Sequence, residues 1–278
     1  GLIKKHEFTR PDKENDRTRH IEITNANTGP VFLIFRNDGQ FQNTVSIIIK
    51  QAPEISFTAD DETIHTLWKT DSSDQLNLLM NYFESIQTLY IADGHHRAAS
   101  ASRVQKIRQS SNPNHNGNES YNYFLSVIFP HDEMQILDYN RIVKDMNGLT
   151  EDQLIESIKS DLLLTPIPSP LAPISSHTFS MYLNQKWYRL EAEKHIISDD
   201  PVERLDASIL QNHILAPILN INDPRTDNRI DFVGGIRGLG ELERRCILDA
   251  KIAFALYPVS IDDLLAVADA DKVMPPKS

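Results

Sequence analysis

Gln87-Thr88-Leu89-Tyr90-Ile91-Ala92-Asp93-Gly94-His95-His96-Arg97-Ala98-Ala99-Ser100-Ala101-Ser102-Arg103-Val104-Gln105-Lys106-Ile107 decides how the chain is read. Thr88 to Ala92 is apolar and β-rich in composition, which predicts a buried strand. Asp93-Gly94 is a turn pair that breaks it, and Arg97 to Ile107 resumes with Ala, Arg, Gln and Lys, which favour a helix. At such a junction the first helical N–H groups lack intrahelical partners and the helix dipole adds partial positive charge, so an anion is welcome. Phosphate is the obvious guest. Gly94 would let it approach the backbone, Arg97 offers a bidentate donor fork, and His95 and His96 donate or accept as protonation allows. The plainer alternative makes Asp93 the helix cap and leaves both histidines on the surface.

Composition narrows the classes. With 278 residues and 40% hydrophobic content the chain can bury a large core in one large or two ordinary domains. No apolar run is long enough for a membrane helix, and no signal peptide opens the sequence. A single cysteine, Cys246, excludes an internal disulfide framework and fits a reducing cytosol, hence a cytoplasmic protein. A net charge of −11 argues against a broad nucleic-acid surface. Gly1 stands where an initiator Met would, directly before a dense polar motif, so the chain reads as a fragment.

That motif runs from Lys4 to His20 and packs both charge signs and two histidines into one segment. Thr9 or Asp12 is expected to cap a helix to about Thr24, with Pro11 in its first turn and Lys13, Arg17 and His20 on one face. A solvated helix laced with ion pairs is the bland alternative. Val31 to Phe35 reads as a strand, Val45 to Lys50 is ambiguous, Thr63 to Lys69 is a strand, and Gln75 to Ile86 an amphipathic helix. Ser110 to Ser120 reads as a mobile polar loop, followed by strands at Tyr121–Phe129 and Met134–Leu137. Asp138-Tyr139-Asn140-Arg141 then falls at a strand end, a common place for ligand residues.

Farther on, Thr150 offers a capping signal for a helix to about Lys159, and Pro166 to Pro173 a rigid connector. His177–Leu183 and Trp187–Glu191 flank Asn184-Gln185 as a hairpin. Pro201 to Leu219 reads as one helix with His213 as an interior residue. Asn228 to Gly235 reads as a strand ending in two glycines that admit backbone or ligand, Lys251–Leu256 as a strand, and Ser260 to Ala268 as a capped helix. The expected fold is α/β (α+β): a core over 1–149, an inserted α+β subdomain over 150–200, and 201–278 completing the core.

The turn Gly94-His95-His96-Arg97-Ala98-Ala99 resembles the ParB/sulfiredoxin superfamily, in which a strand runs into a Gly-x-(His/Arg)-Arg turn that holds nucleotide phosphates. The wider chain resembles the DUF1015 family through four motifs in order: Ile-Lys-Lys-His-Glu-x-Thr-Arg at Ile3, Ala-Asp-Gly-His-His-Arg at Ala92, Asp-Phe-Val-Gly-Gly at Asp231 and Met-Pro-Pro-Lys-Ser at Met274. The superfamily resemblance implies a ParB/sulfiredoxin-like mixed sheet with flanking helices. It also implies a small-molecule kinase similar to free-serine kinases, dependent on ATP or ADP with Mg2+ and acting on a small, amino-acid-like hydroxyl substrate.

Under that implication Gly94, His95, His96 and Arg97, with Arg141, Gly234 and Gly235 as a second wall, would hold the nucleotide. Glu7, Asp93 and His96 would be catalytic, Asp93 or Glu7 would bind Mg2+, and Lys5, His6, Arg10 and Arg17 would contact substrate. A homodimer is left open. The rival is a non-catalytic nucleotide-binding switch or partner-binding module. DNA binding is disfavoured by charge, and sulfiredoxin redox chemistry by His95 standing where those enzymes carry cysteine. Closeness of His6, Glu7 and Arg10 to Gly94, within about 10 Å, would make one site of the two polar motifs.

Overall fold

In the computed structural model, which describes residues 2–277, the chain divides into two units between Met134 and Gln135. The first begins with β1 (Ile3–Lys4) and α1 (Pro11–Thr24), then β2 (Val31–Phe35), α2 (Phe41–Ile48), β3 (Ile55–Thr58) and β4 (Ile64–Leu67). It continues with α3 (Ser73–Ser85), β5 (Leu89–Asp93), α4 (His95–Ser111) and β6 (Ser126–Pro130). Its main sheet has the order β1-β5-β2-β6 and is mixed: β5 runs parallel to β1 and antiparallel to β2, and β2 runs parallel to β6. β2 lies inside because Val31, Leu33, Ile34 and Phe35 are all buried, whereas β3 and β4 form a separate exposed hairpin.

Helix α1 lies along α4 through an unusually polar contact, and this brings the amino-terminal motif to the turn. Thr18 is the only buried residue on α1. The run Ala98 to Ser102 keeps α4 slim there, Ser100 donates its hydroxyl to the Glu14 carbonyl at 3.1 Å, and Arg103 and Arg108 reach Asn15 and Asn25 at 2.6 Å each. The cap of α1 differs from expectation. Arg10 occupies the N-cap with no side-chain bond, because the Thr9 hydroxyl is given to Glu14 and the Asp12 carboxylate to the Arg10 guanidinium. Pro11 takes the first turn as expected.

Two strand expectations in this region fail for local reasons. Tyr121 follows a loop in which the Glu119 carboxylate accepts from the backbone of Asn116 and Gly117 and from the Asn122 amide, so Ser120–Asn122 curls into a 3-10 turn and the strand starts only at Ser126. Met134–Leu137 is not a strand either. The next one begins at Tyr139, which places Asp138 just before a strand and Arg141 in its middle, neither at a strand's end. The ambiguous Val45 segment is helical, within α2.

The second unit comprises β7 (Tyr139–Val143), α5 (Glu151–Ile158), β8 (Leu162–Ile167), β9 (Thr178–Leu183), β10 (Lys186–Ala192), α6 (Asp206–Leu210), β11 (Ile230–Gly234), α7 (Leu239–Leu248), β12 (Ile252–Leu256) and α8 (Ile261–Asp269). Its six strands form one antiparallel sheet in the order β11-β7-β12-β9-β10-β8. Residues 150–200 are therefore not a separate insertion, and 201–278 does not complete the first sheet. Phe179 pairs with Leu256 and Leu183 with Ile252, so the hairpin is zipped into the sheet that β7, β11 and β12 build, over a core of Phe179, Met181, Leu183, Leu190 and Phe254.

Local chemistry held elsewhere. Asn184 and Gln185 take positive φ of 46° and 60°, as a two-residue hairpin turn requires. Thr150 and Gln153 form a full capping box on α5, and the Ser260 hydroxyl caps α8. Pro166 is tolerated because β8 is an edge strand. The expected single helix from Pro201 to Leu219 is instead α6 running into a π turn at Gln211–Leu215, where the Ala216 N–H reaches the Gln211 carbonyl. His213 is half-buried on Asp161 at 2.7 Å, an interior partner as expected.

The paired glycines after β11 are unequal. A Cβ on Gly235 would collide with the Asp138 carboxylate, which is itself held by the buried Asn140 amide at 2.6 Å; nothing lies within 4 Å of a Cβ on Gly234. Gly235→Ala should therefore lower stability by about 2 kcal/mol, and Gly234→Ala should change it by less than about 0.5 kcal/mol, read as urea midpoints. Equal midpoints for the two variants would refute the close approach.

Candidate phosphate-binding site

The junction of β5 and α4 is made by one residue. Gly94 sits at φ 93°, ψ 29°, the left-handed region, and a Cβ there would lie 2.8 Å from Arg97 Nε and 2.9 Å from its terminal nitrogen. The Arg97 side chain can thus fold back against the turn, where its terminal N–H donates to Asp93 Oδ2 at 2.7 Å. Asp93 consequently does not cap α4, and no side chain does. The first intrahelical bond runs from the Ala98 N–H to the Gly94 carbonyl, so the N–H groups of the opening turn keep their donor capacity. Arg97 Nε is buried without a partner. An unmatched buried donor at a helix N-terminus fits an anion better than it fits bulk solvent.

The two polar motifs meet here. His6 and His95 are both buried and pack edge to face with centroids 4.6 Å apart. The His6 backbone N–H points at His95 Nε2 at 3.4 Å, and His95 Nδ1 lies 3.5 Å from the Glu7 carboxylate, so the tautomer this geometry favours carries its proton on Nδ1. One step along, His96 Nε2 accepts from the Arg10 backbone N–H at 3.0 Å. Burial pushes the His6 ring down to about 4, and burial together with the neighbouring His6 does the same to His95. Both rings are neutral at pH 7. They clasp the amino-terminal segment to the turn and bring no positive charge to it.

Positive charge comes from the side. A cavity of about 210 Å³ opens beside the turn, lined by Arg17, His20, Thr28, Gly29, Val31, Arg97, Phe124 and neighbours. A smaller one of about 110 Å³ adjoins it through Ile21 and Asn27 and adds Arg108, Tyr121 and Tyr123. The larger lies near the starts of β2 and β6, and the smaller runs along α4 past Ala101, Val104 and Arg108. Arg17 is exposed and, among the described residues, has no carboxylate partner. Two arginines, a histidine that meets Thr28 at 3.5 Å and a partly buried phenyl ring thus surround one space next to an uncapped helix end.

The expected site residues divide accordingly. Gly94, Arg97 and Arg17 border the cavity or form its turn, and Asp93 is tied to Arg97. His95 and His6 are interior clasps instead of ligand contacts, because the approach of α1 encloses them. Lys5 lies over the Phe8 ring at 6.0 Å, and the Arg10 guanidinium pairs with Asp12. Glu7 leans on His95 and remains largely exposed. Among the described residues no cluster of three His, Cys, Asp or Glu side chains can hold a metal, so the Mg2+ ligands expected at Asp93 and Glu7 do not form a protein cage; a magnesium ion bound mainly through phosphates needs none.

Arg141, Gly234 and Gly235 belong to the second unit. Arg141 is bound to backbone carbonyls of Tyr139 and Lys277, and Gly235 makes room for Asp138. Residues that sequence reasoning left out of the site are His20, Thr28 and Phe124. The shared face of Arg17 and His20 was a usable signal for the first; nothing local marked Phe124.

The model of a family described as a protein of unknown function, DUF1015, matches residues 1–208. No curated protein matches the chain. Among solved structures, a free serine kinase in complex with AMP is similar at 13% identity and a TM-score of 0.45, over 99% of this chain and 82% of that one. A conserved hypothetical protein from Pyrococcus furiosus is similar at 13% and 0.38, over 99% and 85%. SbnI with a C-terminal truncation, from Staphylococcus aureus, is similar at 10% and 0.46, over 99% and 77%. Likenesses of this size say nothing of individual side chains. Among the described residues no helix is long and apolar enough to cross a membrane.

The neutral histidines give the first unit a definite pH dependence. Their folded pKa values of about 4 lie below the unfolded value near 6.5, so the unfolded chain binds more protons between the two. The stabilisation they allow is complete above pH 6.5 and is lost as pH falls toward 4. Asp206, in the second unit, has the opposite sign. Its Oδ2 is buried without a partner and burial raises the carboxyl to about 7, above its unfolded value, so acidification from pH 7 toward 4 stabilises its surroundings. Amide exchange, corrected for its intrinsic pH dependence, should show protection falling in β5 and α4 between pH 7 and 5 while it holds or rises in α6. Parallel losses in both would contradict the assignment.

Proposed function

We propose that this chain, which belongs to the DUF1015 family, binds a nucleotide by its phosphates at the turn between β5 and α4 and transfers a phosphoryl group to a small hydroxyl compound. The observation that carries the reading is the cavity beside Arg97, where the uncapped end of a long helix, a buried unpaired guanidinium nitrogen and the unpaired charge of Arg17 converge. Phosphoryl transfer asks a protein chiefly for positioning and charge neutralisation, and these groups are suited to both. Arg17 and Arg97 would take the phosphate oxygens, the N–H groups after Gly94 would cradle them, and Phe124 offers a face to a base. Any metal would arrive on the nucleotide. Glu7 is the carboxylate best placed to accept a proton from the attacking hydroxyl, being exposed and held near the turn through His95. An amino-acid-like substrate is what the resemblance of the turn to the superfamily of the free-serine kinases implies.

A second reading, nucleotide binding without turnover, draws on the Asp93–Arg97 pair. A carboxylate engaged by a guanidinium is less free to act as base or ligand. Titration calorimetry with ATP, ADP and CTP in the presence of Mg2+ tests what the two readings share: binding tighter than about 1 mM is expected, weakened about tenfold or more in Arg97→Ala and in Arg17→Ala. Absence of binding, or equal binding by both variants, rejects both readings. Phosphorus NMR with free serine as the first acceptor then separates them. A phosphorylated product that disappears in Glu7→Gln supports transfer, and tight binding without product across small hydroxyl acceptors supports the switch.

A further inference from the structure

Arg141 is an anomaly that nucleotide binding at the first unit leaves unexplained. Only 4% of it is exposed, and its guanidinium is met by the Tyr139 carbonyl, by the Lys277 carbonyl at 2.9 Å, by the Pro276 carbonyl at 3.4 Å and by the face of Phe232 at 5.3 Å. Among the described residues no carboxylate opposes it. Burial lowers it only to about 10, so it stays charged at neutral pH. A buried cation satisfied by dipoles alone is a costly arrangement, and an anion entering beside it recovers part of that cost.

The space for one exists. Arg141 lines a cavity of about 490 Å³. On the same cavity sits Gln211, the first residue of the π turn, a type of helix distortion frequent at functional sites. Its Nε2 donates to the Ile221 carbonyl at 2.8 Å, which fixes the amide orientation and leaves Oε1 buried without a donor. The cavity is therefore lined by a cation that, among the described residues, no carboxylate opposes, and by a residue whose buried acceptor has no donor. Leu215, Phe232, Pro275 and Pro276 supply apolar wall. The other arginine on its lining, Arg225, is already engaged by both oxygens of Asp223, so that pair adds little net charge for a dianionic phosphate.

We infer that this cavity of the second unit binds a small organic carboxylate that also carries an N–H donor and a flat apolar group. The carboxylate meets Arg141, the N–H fills Gln211 Oε1, and the apolar part lies against Phe232 and the prolines. The inference stands apart from the nucleotide reading, since every residue it uses lies in the second unit.

Hippurate, N-benzoylglycine, has all three features and serves as the probe, with neutral N-benzylacetamide as the matched compound lacking the charge. Titrated into the full chain and followed by NMR, hippurate should shift the resonances of Ala207, Leu215 and Phe232 saturably at concentrations below about 10 mM, and the neutral compound should bind at least about tenfold more weakly. Gln211→Leu should weaken hippurate several-fold, and Arg141→Met should abolish the shifts. Because Arg141→Met risks misfolding, the comparison of the two probes on the unmodified chain decides by itself. No shifts up to about 10 mM, equal affinity for the neutral compound, or shifts confined to residues around Arg97 would overturn the inference.

Discussion

The backbone at Gly94 constrains everything around it. A strand must become a helix within one residue, and only a left-handed φ with no Cβ allows this while a guanidinium lies within 3 Å of where that Cβ would be. Three consequences follow. Arg97 folds inward and takes Asp93, so the helix end loses its natural cap. The uncapped N–H groups keep their appetite for an anion. His95, as the first helical residue, is turned into the interior, where it meets His6 and secures the segment that leads into α1. A substitution at Gly94 would disturb the fold of the turn and the chemistry beside it together.

Magnitudes indicate which charges are available to a ligand. The Asp93–Arg97 pair is short, but its side chains are 74% and 38% exposed, and an ion pair so open to water contributes about 0–1 kcal/mol. Under the proposed function, a phosphate that also gained the helix end and Arg17 would outcompete such a partner. The histidines work the other way. A ring held near neutrality by burial contributes hydrogen bonds and shape, and protonating it would place a charge where no water reaches. Two imidazoles in sequence beside an arginine suggest a cationic cluster, whereas folding makes cations of Arg17 and Arg97 and a hinge pin of His95.

Elements governed by neighbouring residues were legible in the sequence: the order of strand, turn and helix around Gly94, though the helix starts at His95 and runs through Ser111, past the expected Ile107, and also the hairpin turn at Asn184-Gln185, the boxed cap at Thr150 and the Ser260 cap. Their determinants lie within four residues of one another. What was illegible depends on distant pairing. Nothing in the Pro-rich run before His177 tells that Phe179 will pair with Leu256, so the hairpin looked like an insertion when it is half of a sheet. Arg141 looked like a loop residue at a strand end; its burial is set by Phe232 and by carbonyls near the end of the chain. The cavity beside Arg97 was half legible, since Arg17 and His20 share a helical face, and Phe124 arrives from a segment whose turn is fixed by the Glu119 carboxylate.

Acid is abundant in this chain, with 39 Asp and Glu against 28 Lys and Arg, so an arginine without a carboxylate is not short of candidates. Most of the guanidiniums show it: Arg204 pairs with Asp263, Arg229 with Asp227, Arg244 with Glu241, and Arg245 with both Asp231 and Asp249. Among the described residues Arg17 and Arg141, like Arg19 and Arg108, have no carboxylate partner, and the first two stand in different settings. One stands in water at the edge of a cavity, where an unpaired charge costs little and attracts anions from a distance; the other is dry, where the same charge is tolerated only by converging carbonyls. Each borders a cavity, and each cavity is lined by a residue with a buried polar atom left unbonded, the shared feature from which both proposed anion sites are argued.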